Sequence, residues 1–357
     1  MKDLFDAERY RQTAEALHAL DSRLDRKRFL RIGLEDLDDL ELMDRLRRMS
    51  RAFQAAHSGT YREKLDLLRA YGPQLGSGFV GIWLCDFVAQ FGLDDRAASL
   101  ATLRDLTRYG SAEFAVRPFL VQDQARTLAV MLKWAHDDNE HVRRLASEGS
   151  RPRLPWGQRL TSLVTDPSPT APILEALKAD PALYVRKSVA NHLNDIAKDH
   201  PTAVLERVET WDRADARTAW IVRHAIRTLI KRGDPRALAL LGAGAKPAVD
   251  ITRFSAAPKR IQLGDTITYA VALHSTSRQP QTLIVDYVVH YPKASGATST
   301  KVFKWKTLML AAGGNAELAK SQVIRDFSTR RHYAGAHRVE LQINGQRLAE
   351  TAFDLHA

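Results

Sequence analysis

The chain has one cysteine, Cys85, in 357 residues, so no internal disulfide can staple it and no thiolate cluster can hold zinc. That usage fits a reducing cytosol. Long apolar runs are missing too. The best stretch, Gly78 to Val88, is interrupted by Asp86 and falls short of the roughly 18 consecutive apolar residues a membrane helix needs; no membrane partner is expected. The segment Met1-Lys2-Asp3-Leu4-Phe5-Asp6 has no signal-peptide apolar core. No glycine-rich loop of P-loop or dinucleotide-binding form occurs. His192, His200 and His224 lack ligand spacing with acids or cysteine. Neither a metal nor a cofactor is expected.

Acid is also in deficit. Lys and Arg number 53 against 42 Asp and Glu, a net charge of +11, with a pI near 9.8. Such an excess favours a polyanionic partner, because Lys and Arg neutralise phosphates and release counterions. The charges decide between this and an ordinary basic protein only by where they sit.

What is present divides the chain in two. Residues 1–245 are rich in Leu, Ala, Arg, Asp and Glu at helical spacing. After Gly242-Ala-Gly-Ala-Lys-Pro247 the texture turns to Thr, Val, Ile and Tyr, with alternation in Thr266–Leu273 and Leu283–Tyr291 that reads as strands. Arg338–Ile343, Asn344-Gly345 and Gln346–Phe353 read as a hairpin on a type I′ turn. About seven strands in the segment 248–357 point to an immunoglobulin-like sandwich, with Tyr333 a candidate tyrosine corner.

The helical part repeats a phrase. Val-Arg occurs at Val116-Arg117, Val142-Arg143, Val185-Arg186 and Val222-Arg223, each expected to open a helix after a polar turn. The steps are 26, 43 and 37 residues; steps near about 40 residues with two helices per unit suggest HEAT-like repeats, the short step an irregular one, with a plain irregular helical bundle as the alternative. Within the repeats one helix face is apolar: Val185, Val189, Leu193 and Ile196 in one helix; Val222, Ala225, Ile226 and Leu229 in the next; Val142, Leu145 and Ala146 in an earlier one. Polar rows accompany these faces. They contain Lys187, Asn191, Asn194, Asp195 and Lys198; then Arg223, Arg227 and Lys231; and His141, Arg144 and Glu148. Set side by side, such rows suit a phosphate backbone. Singly, each is also what a solvated face looks like.

Three carboxylates stand out. Glu148 sits at a helix end before Gly149, read as the C′ residue, where the helix dipole opposes an acid by about 0.3–1 kcal/mol; an i,i+4 pair with Arg144 is the plainer explanation. Glu113 follows Ser111, read as an N-cap, and so falls in a first turn where an acid is stabilising. Asp195 lies mid-helix, where Asp has poor propensity, in a row with Lys187, Asn191 and Lys198. After Glu148 comes the loop Gly149-Ser-Arg-Pro-Arg-Leu-Pro-Trp156, stiffened by two prolines and charged by Arg151 and Arg153. Trp156 at its end can stack on a base or sugar, or plug the core.

Three segments carry a resemblance. Tyr184–Pro201, Trp220–Pro235 and Ala146–Trp156 resemble the signature helices and loop of the AlkC-type DNA alkylation repair proteins, over about residues 1–245. The β domain resembles an extension that only some members carry, and the helical fold is similar to that of the related AlkD proteins. The resemblance implies a monofunctional glycosylase acting on cationic bases such as 3-methyladenine and 3-methylcytosine in double-stranded DNA, with the lesion left stacked or nearly so. It implies Glu148 as a catalytic carboxylate, Asp195 and Glu113 as its companions and Trp156 as a contact to the lesion nucleotide. Arg144, Arg151, Arg153, Lys187, Asn191, Arg223, Arg227 and Lys231 are the expected DNA-binding residues, joined by Arg330 and Arg331 from the β domain. That domain holds 14 Lys and Arg against 8 Asp and Glu from residue 247 on, a surplus of 6 (14 − 8). A monomer in the bacterial-type cytosol is expected, associated with the nucleoid when on DNA. A non-catalytic HEAT-repeat scaffold for DNA or a protein is the competing class, and an RNA-binding array a third.

Overall fold

The computed structural model describes residues 2–327 and 330–356. Among these, sixteen α-helices run to Ala239 and eight strands follow from Val249. The helix starts are encoded locally. Asp6, Asp25, Asp95, Asp123 and Asn139 each turn a side-chain oxygen onto a first-turn amide, and Thr60 with Glu63 forms a reciprocal capping box. No helix among the described residues is long and apolar enough to cross a membrane.

By compactness the chain divides into two units. One runs to Val204 and includes Thr210–Ala225; the other takes Leu205–Glu209 and the chain from Ile226 onward.

The first unit is a HEAT-like array whose period shows in its ion pairs. Arg69 reaches Asp105 at 2.9 Å, Arg104 reaches Asp137 at 2.7 Å and Arg143 reaches Asp180 at 2.6 Å, with partners 36, 33 and 37 residues apart. The helix Glu140–Gly149 packs on Leu183–Ile196, which packs on Ala216–Ala225. Val142, Leu145, Val185, Val189, Leu193, Ile196, Val222 and Ala225 are all buried, as their spacing requires.

The repeated Val-Arg phrase has a structural cause. Val142 and Val185 are core residues, and the arginine beside each folds back to cap its own preceding turn. Arg143 Nη1 donates to the Asp137 and Asp138 carbonyls at 2.9 and 2.8 Å; Arg186 Nη1 donates to those of Asp180 and Pro181 at 2.9 and 2.7 Å. Val222-Arg223 departs from the expectation. It lies in the last turn of Ala216–Ala225, because Asp215 caps that helix upstream, accepting from the Arg217 and Thr218 amides.

In the second unit the strands are β1 (Val249–Ala257), β2 (Arg260–Gln262), β3 (Thr266–Ser275), β4 (Gln281–Pro292), β5 (Thr298–Leu310), β6 (Asn315–Val323), β7 (Gly335–Ile343) and β8 (Gln346–His356). They form a three-stranded sheet, β1-β3-β6, and a five-stranded sheet, β2-β8-β7-β4-β5. Alternate residues of β3 are buried: Tyr269 packs with Tyr287, Val289, Val339 and Phe353, and Val271 and Leu273 pack with Leu283, Val285 and Leu341. The β7–β8 turn is the hairpin read from Asn344-Gly345, with φ of 46° and 78°, the positive values a type I′ turn needs. Tyr333 is not a tyrosine corner. Its ring carries the Arg331 guanidinium at 5.9 Å, and among the described residues no backbone carbonyl accepts from its hydroxyl.

The last helix ends at Ala239 and the first strand starts at Val249, while the second unit takes in helical residues ahead of these, Leu205–Glu209 and the chain from Ile226. The helices Arg227–Arg232 and Pro235–Ala239 close on the sandwich: Gln342 Nε2 donates to the Lys231 carbonyl at 3.2 Å. A Cβ on Gly345 would lie 2.3 Å from Gly233 Cα, so both positions need glycine.

Candidate active site

The site is built on the helix Glu140–Gly149, started by Asn139, whose side chain accepts from the His141 amide at 2.9 Å. Its polar row ends at Glu148, which is buried. Glu148 Oε1 accepts from Arg151 Nη1 at 2.6 Å and lies 3.4 Å from Arg144 Nη2. Oε2 accepts from Ser188 Oγ at 2.6 Å. The helix end differs from the expected glycine cap. Gly149 is still helical and its backbone is not left-handed; it is glycine because a Cβ would lie 2.5 Å from Val116 Cγ1. Ser150 closes the helix instead, its Oγ donating to the Ala146 carbonyl at 2.7 Å.

Asp195 projects from the neighbouring helix Leu183–Ile196 and is also buried. Its Oδ2 accepts from Arg151 Nε and Nη2 at 2.8 and 2.7 Å, and its Oδ1 from Lys198 Nζ at 2.8 Å. Glu113 is joined to the same group through Arg144. It does not lie in a helical first turn: it sits in a turn before the helix Arg117–Gln122, and Ser111 Oγ donates to its carboxylate at 2.6 Å rather than capping an amide. The result is one continuous chain: Glu113, Arg144, Glu148, Arg151, Asp195, Lys198.

This chain answers the cost of burying charge. A lone buried carboxylate is strongly disfavoured; here each has a guanidinium in contact. Burial opposes the charge on Arg144, but Glu148 and Glu113 outweigh it and hold its guanidinium above the ordinary range. Tyr184 packs its ring under Arg144, 5.2 Å from the guanidinium carbon, and burial pushes its hydroxyl up. The three carboxylates outnumber the two arginines, and Lys198, at 42% side-chain exposure, is the most solvent-exposed part of the network. Among the described residues no three His, Cys, Asp or Glu side chains are arranged to hold a metal ion.

Trp156 is not a core plug. It is 74% exposed with a φ of 63°, a left-handed conformation that costs a bulky residue strain. Beside it lies a cleft of about 240 Å³, with Ile82, Phe114 and Pro118 in its walls and Asp86 in its lining. Burial pushes the Asp86 carboxyl up, and Ser50 and Gln90 both donate to its Oδ2.

The other expected DNA-binding residues divide by place. Arg144 and Arg151 turn inward to carboxylates. Arg153 pairs with Asp199 at 2.7 Å, Lys187 and Arg223 are exposed, and Asn191 is half-buried. Arg227 and Lys231 do not continue the helix that carries Arg223; the helix is interrupted at Ile226 and they lie on Arg227–Arg232. In the second unit Arg330 lies 4.4 Å over the Tyr291 ring, and Arg331 is exposed beside Tyr333. The spacing of acids and bases gave no sign of Ser188, whose only mark is a small hydroxyl on a buried helix face.

Residues 107–229 match the family model described as DNA alkylation repair enzyme, and residues 250–357 match the C-terminal Ig-like domain of protein YhaZ. The YhaZ protein of Bacillus subtilis (strain 168) is 39% identical over 347 residues, 97% of this chain and 96% of that one. Among solved structures, the Pseudomonas fluorescens alkylpurine DNA glycosylase AlkC, bound to DNA containing an abasic site analogue, superposes with a TM-score of 0.97 at 49% identity. That match covers 100% of this chain and 99% of the other.

Proposed function

We propose, because this chain belongs to the AlkC-type family of DNA alkylation repair glycosylases, that it cuts the N-glycosyl bond of cationic alkylated bases in duplex DNA, 3-methyladenine and 3-methylcytosine foremost. One observation carries the reading. Glu113, Glu148 and Asp195 come from three separate segments and meet in a single network through Arg144 and Arg151.

The chemistry asks for such a group. A base alkylated at N3 is already positive and leaves as a neutral molecule, so no general acid is needed. The barrier lies in the oxocarbenium-like sugar left behind. Fixed carboxylates near C1′ stabilise that cation and can orient or deprotonate the attacking water, as paired acids do in glycoside hydrolysis. Glu148 is the principal group, with Asp195 and Glu113 beside it. Arg144 and Arg151 hold the carboxylates in place, and Trp156, on its exposed left-handed turn, stacks on the lesion nucleotide. The base stays stacked or nearly so, and the sugar is approached from the backbone side.

Lys187, Asn191, Arg153, Arg223, Arg227 and Lys231 bind the backbone, with Arg330 and Arg331 of the second unit. Replacing Arg330 and Arg331 by Ala lowers the slope of log K against log salt by roughly 2; an unchanged slope removes them from the interface. The protein acts as a monomer in the cytosol.

Incubation with methylated duplex, followed by mass spectrometry of the small-molecule fraction, tests the reading. Free 3-methyladenine supports it. Binding without release returns the scaffold, and preference for RNA in competition returns the RNA-binding array.

A further inference from the structure

The loop that carries Arg151 and Trp156 is tied down by one side chain. Arg117 opens the helix Arg117–Gln122 and is fully buried. Its Nη1 donates to the Gly149 and Arg151 carbonyls, both at 2.9 Å, and its Nε donates to the Gln158 carbonyl at 2.5 Å. One guanidinium thereby grips both ends of the loop that follows the helix bearing Glu148. The loop's own backbone bonds include Arg151 N to the Glu148 carbonyl at 3.3 Å, and Gly157 N to the Leu154 carbonyl and Leu160 N to that of Pro152, both at 3.2 Å.

Arg117 is a costly choice for a buried position. No carboxylate touches it, and its Nη2 finds no acceptor among the described residues. Burial, with Arg151 nearby, pushes it down to about 10, while Asp195, Glu113 and Glu148 act the other way from a distance. A buried cation with no carboxylate in contact carries a desolvation cost, which its carbonyl hydrogen bonds offset. What the arginine provides is a planar fork with several fixed donors, which lysine cannot reproduce.

We propose that Arg117 is a positioning residue for the glycosylase reaction: by clamping the Gly149–Gln158 loop it sets Arg151 between Glu148 and Asp195 and so fixes both carboxylates. This rests on the catalytic reading of Glu148 given above. The Gly157 position supplies a second handle. A Cβ there would lie 3.0 Å from Leu154 Cδ2 and 3.4 Å from Arg117 Cδ and Nε, so alanine crowds the Leu154 methyl inside the clamped loop, against the Arg117 side chain, while the charge of Arg117 is kept.

The test compares R117K, G157A, R151K and the R117K/R151K double variant with E148Q on full-length protein. It reads the single-turnover release rate at saturating methylated duplex and, separately, the Kd for a non-cleavable duplex. R117K is expected to lose about 10²-fold in rate, as misplacement of reacting groups by about 1 Å does, with Kd within about 3-fold. G157A should lose rate by several-fold with Kd unchanged. The double variant should be about as slow as the slower single variant, since both act through one geometry. Wild-type rates in R117K, losses that multiply in the double variant, or equal losses of rate and affinity would overturn the proposal. Should R117K fail to fold, G157A decides alone, a wild-type rate counting against the clamp. If E148Q itself retains the wild-type rate, it is the catalytic reading that fails; if only E148Q is slow, it is the clamp.

Discussion

Glu148 and Asp195, on neighbouring helices, are joined through the single guanidinium of Arg151, which stands 2.6 Å from Glu148 Oε1 and 2.7 Å from Asp195 Oδ2. Each acid holds a different edge of that guanidinium, Glu148 at Nη1 and Asp195 at Nε and Nη2. Asp195→Asn keeps the shape and removes the charge. We expect single-turnover base release to fall by roughly 10- to 100-fold, in line with loss of one electrostatic contributor, while affinity for undamaged duplex is unchanged or slightly tighter. A rate equal to wild type, measured with saturating DNA, would remove Asp195 from the site.

Trp156 trades stability for exposure. A non-glycine residue in the left-handed region costs about 1–2 kcal/mol, and Asn tolerates it better. Since Trp156 is 74% exposed, little burial is lost on replacement. Trp156→Asn is therefore expected to raise Tm by roughly 2–4 °C and to weaken binding of lesion-containing duplex. Calorimetry and a lesion-against-undamaged binding ratio check it; a lower Tm would mean that the indole packs.

Arg143 of the Val-Arg phrase braces neighbouring repeats, and no part in holding DNA is expected of it. Arg143 and Asp180 pair at 2.6 Å, with side chains 14% and 3% exposed. Removing one partner of such a pair costs about 3–5 kcal/mol. Arg143→Met should lower the unfolding midpoint in urea accordingly, with the Kd for DNA unchanged below the transition. A weaker Kd at full stability would reverse the assignment.

Asp286 gives the second unit a pH dependence. It is 2% exposed, Gln342 Nε2 lies 3.3 Å from its Oδ2, and burial pushes its carboxyl from 3.8 up to about 6. The folded state thus disfavours the charged form. The penalty is absent below the unfolded value, grows as pH rises from 3.8 to about 6 and is complete above that. It amounts to about 3 kcal/mol. Asp286→Asn is expected to stabilise the unit by up to that amount at pH 8 and by only about 1 kcal/mol at pH 4.5. Denaturant titrations at the two pH values measure it; a gain that does not change with pH would show that ionisation is not the cause.

Much of this was legible in the sequence because it rests on periodicity. The buried faces of the repeat helices follow from 3.6-residue spacing, and the β7–β8 hairpin follows from Asn344-Gly345. The acids at Glu148 and Asp195 stood out because they break local rules of helix preference. What stayed hidden depends on contacts distant in the chain. Arg117 binds backbone carbonyls more than thirty residues away, which leave no side-chain signature to pair it with. Arg144 and Arg151 read as outward cations, yet turn inward because the carboxylates of three segments converge on them. Gly149 read as a cap, but its reason is the methyl of Val116. Arg223, Arg227 and Lys231 share a spacing that the helix break at Ile226 interrupts.

The most direct measurement is the single-turnover rate of 3-methyladenine release by Glu148→Gln at saturating methylated duplex, with Kd determined alongside. The replacement keeps the size of the side chain and removes its charge. A rate lower by about 100-fold or more, with Kd within about 3-fold of wild type, is the expected result. A rate indistinguishable from wild type would contradict the account.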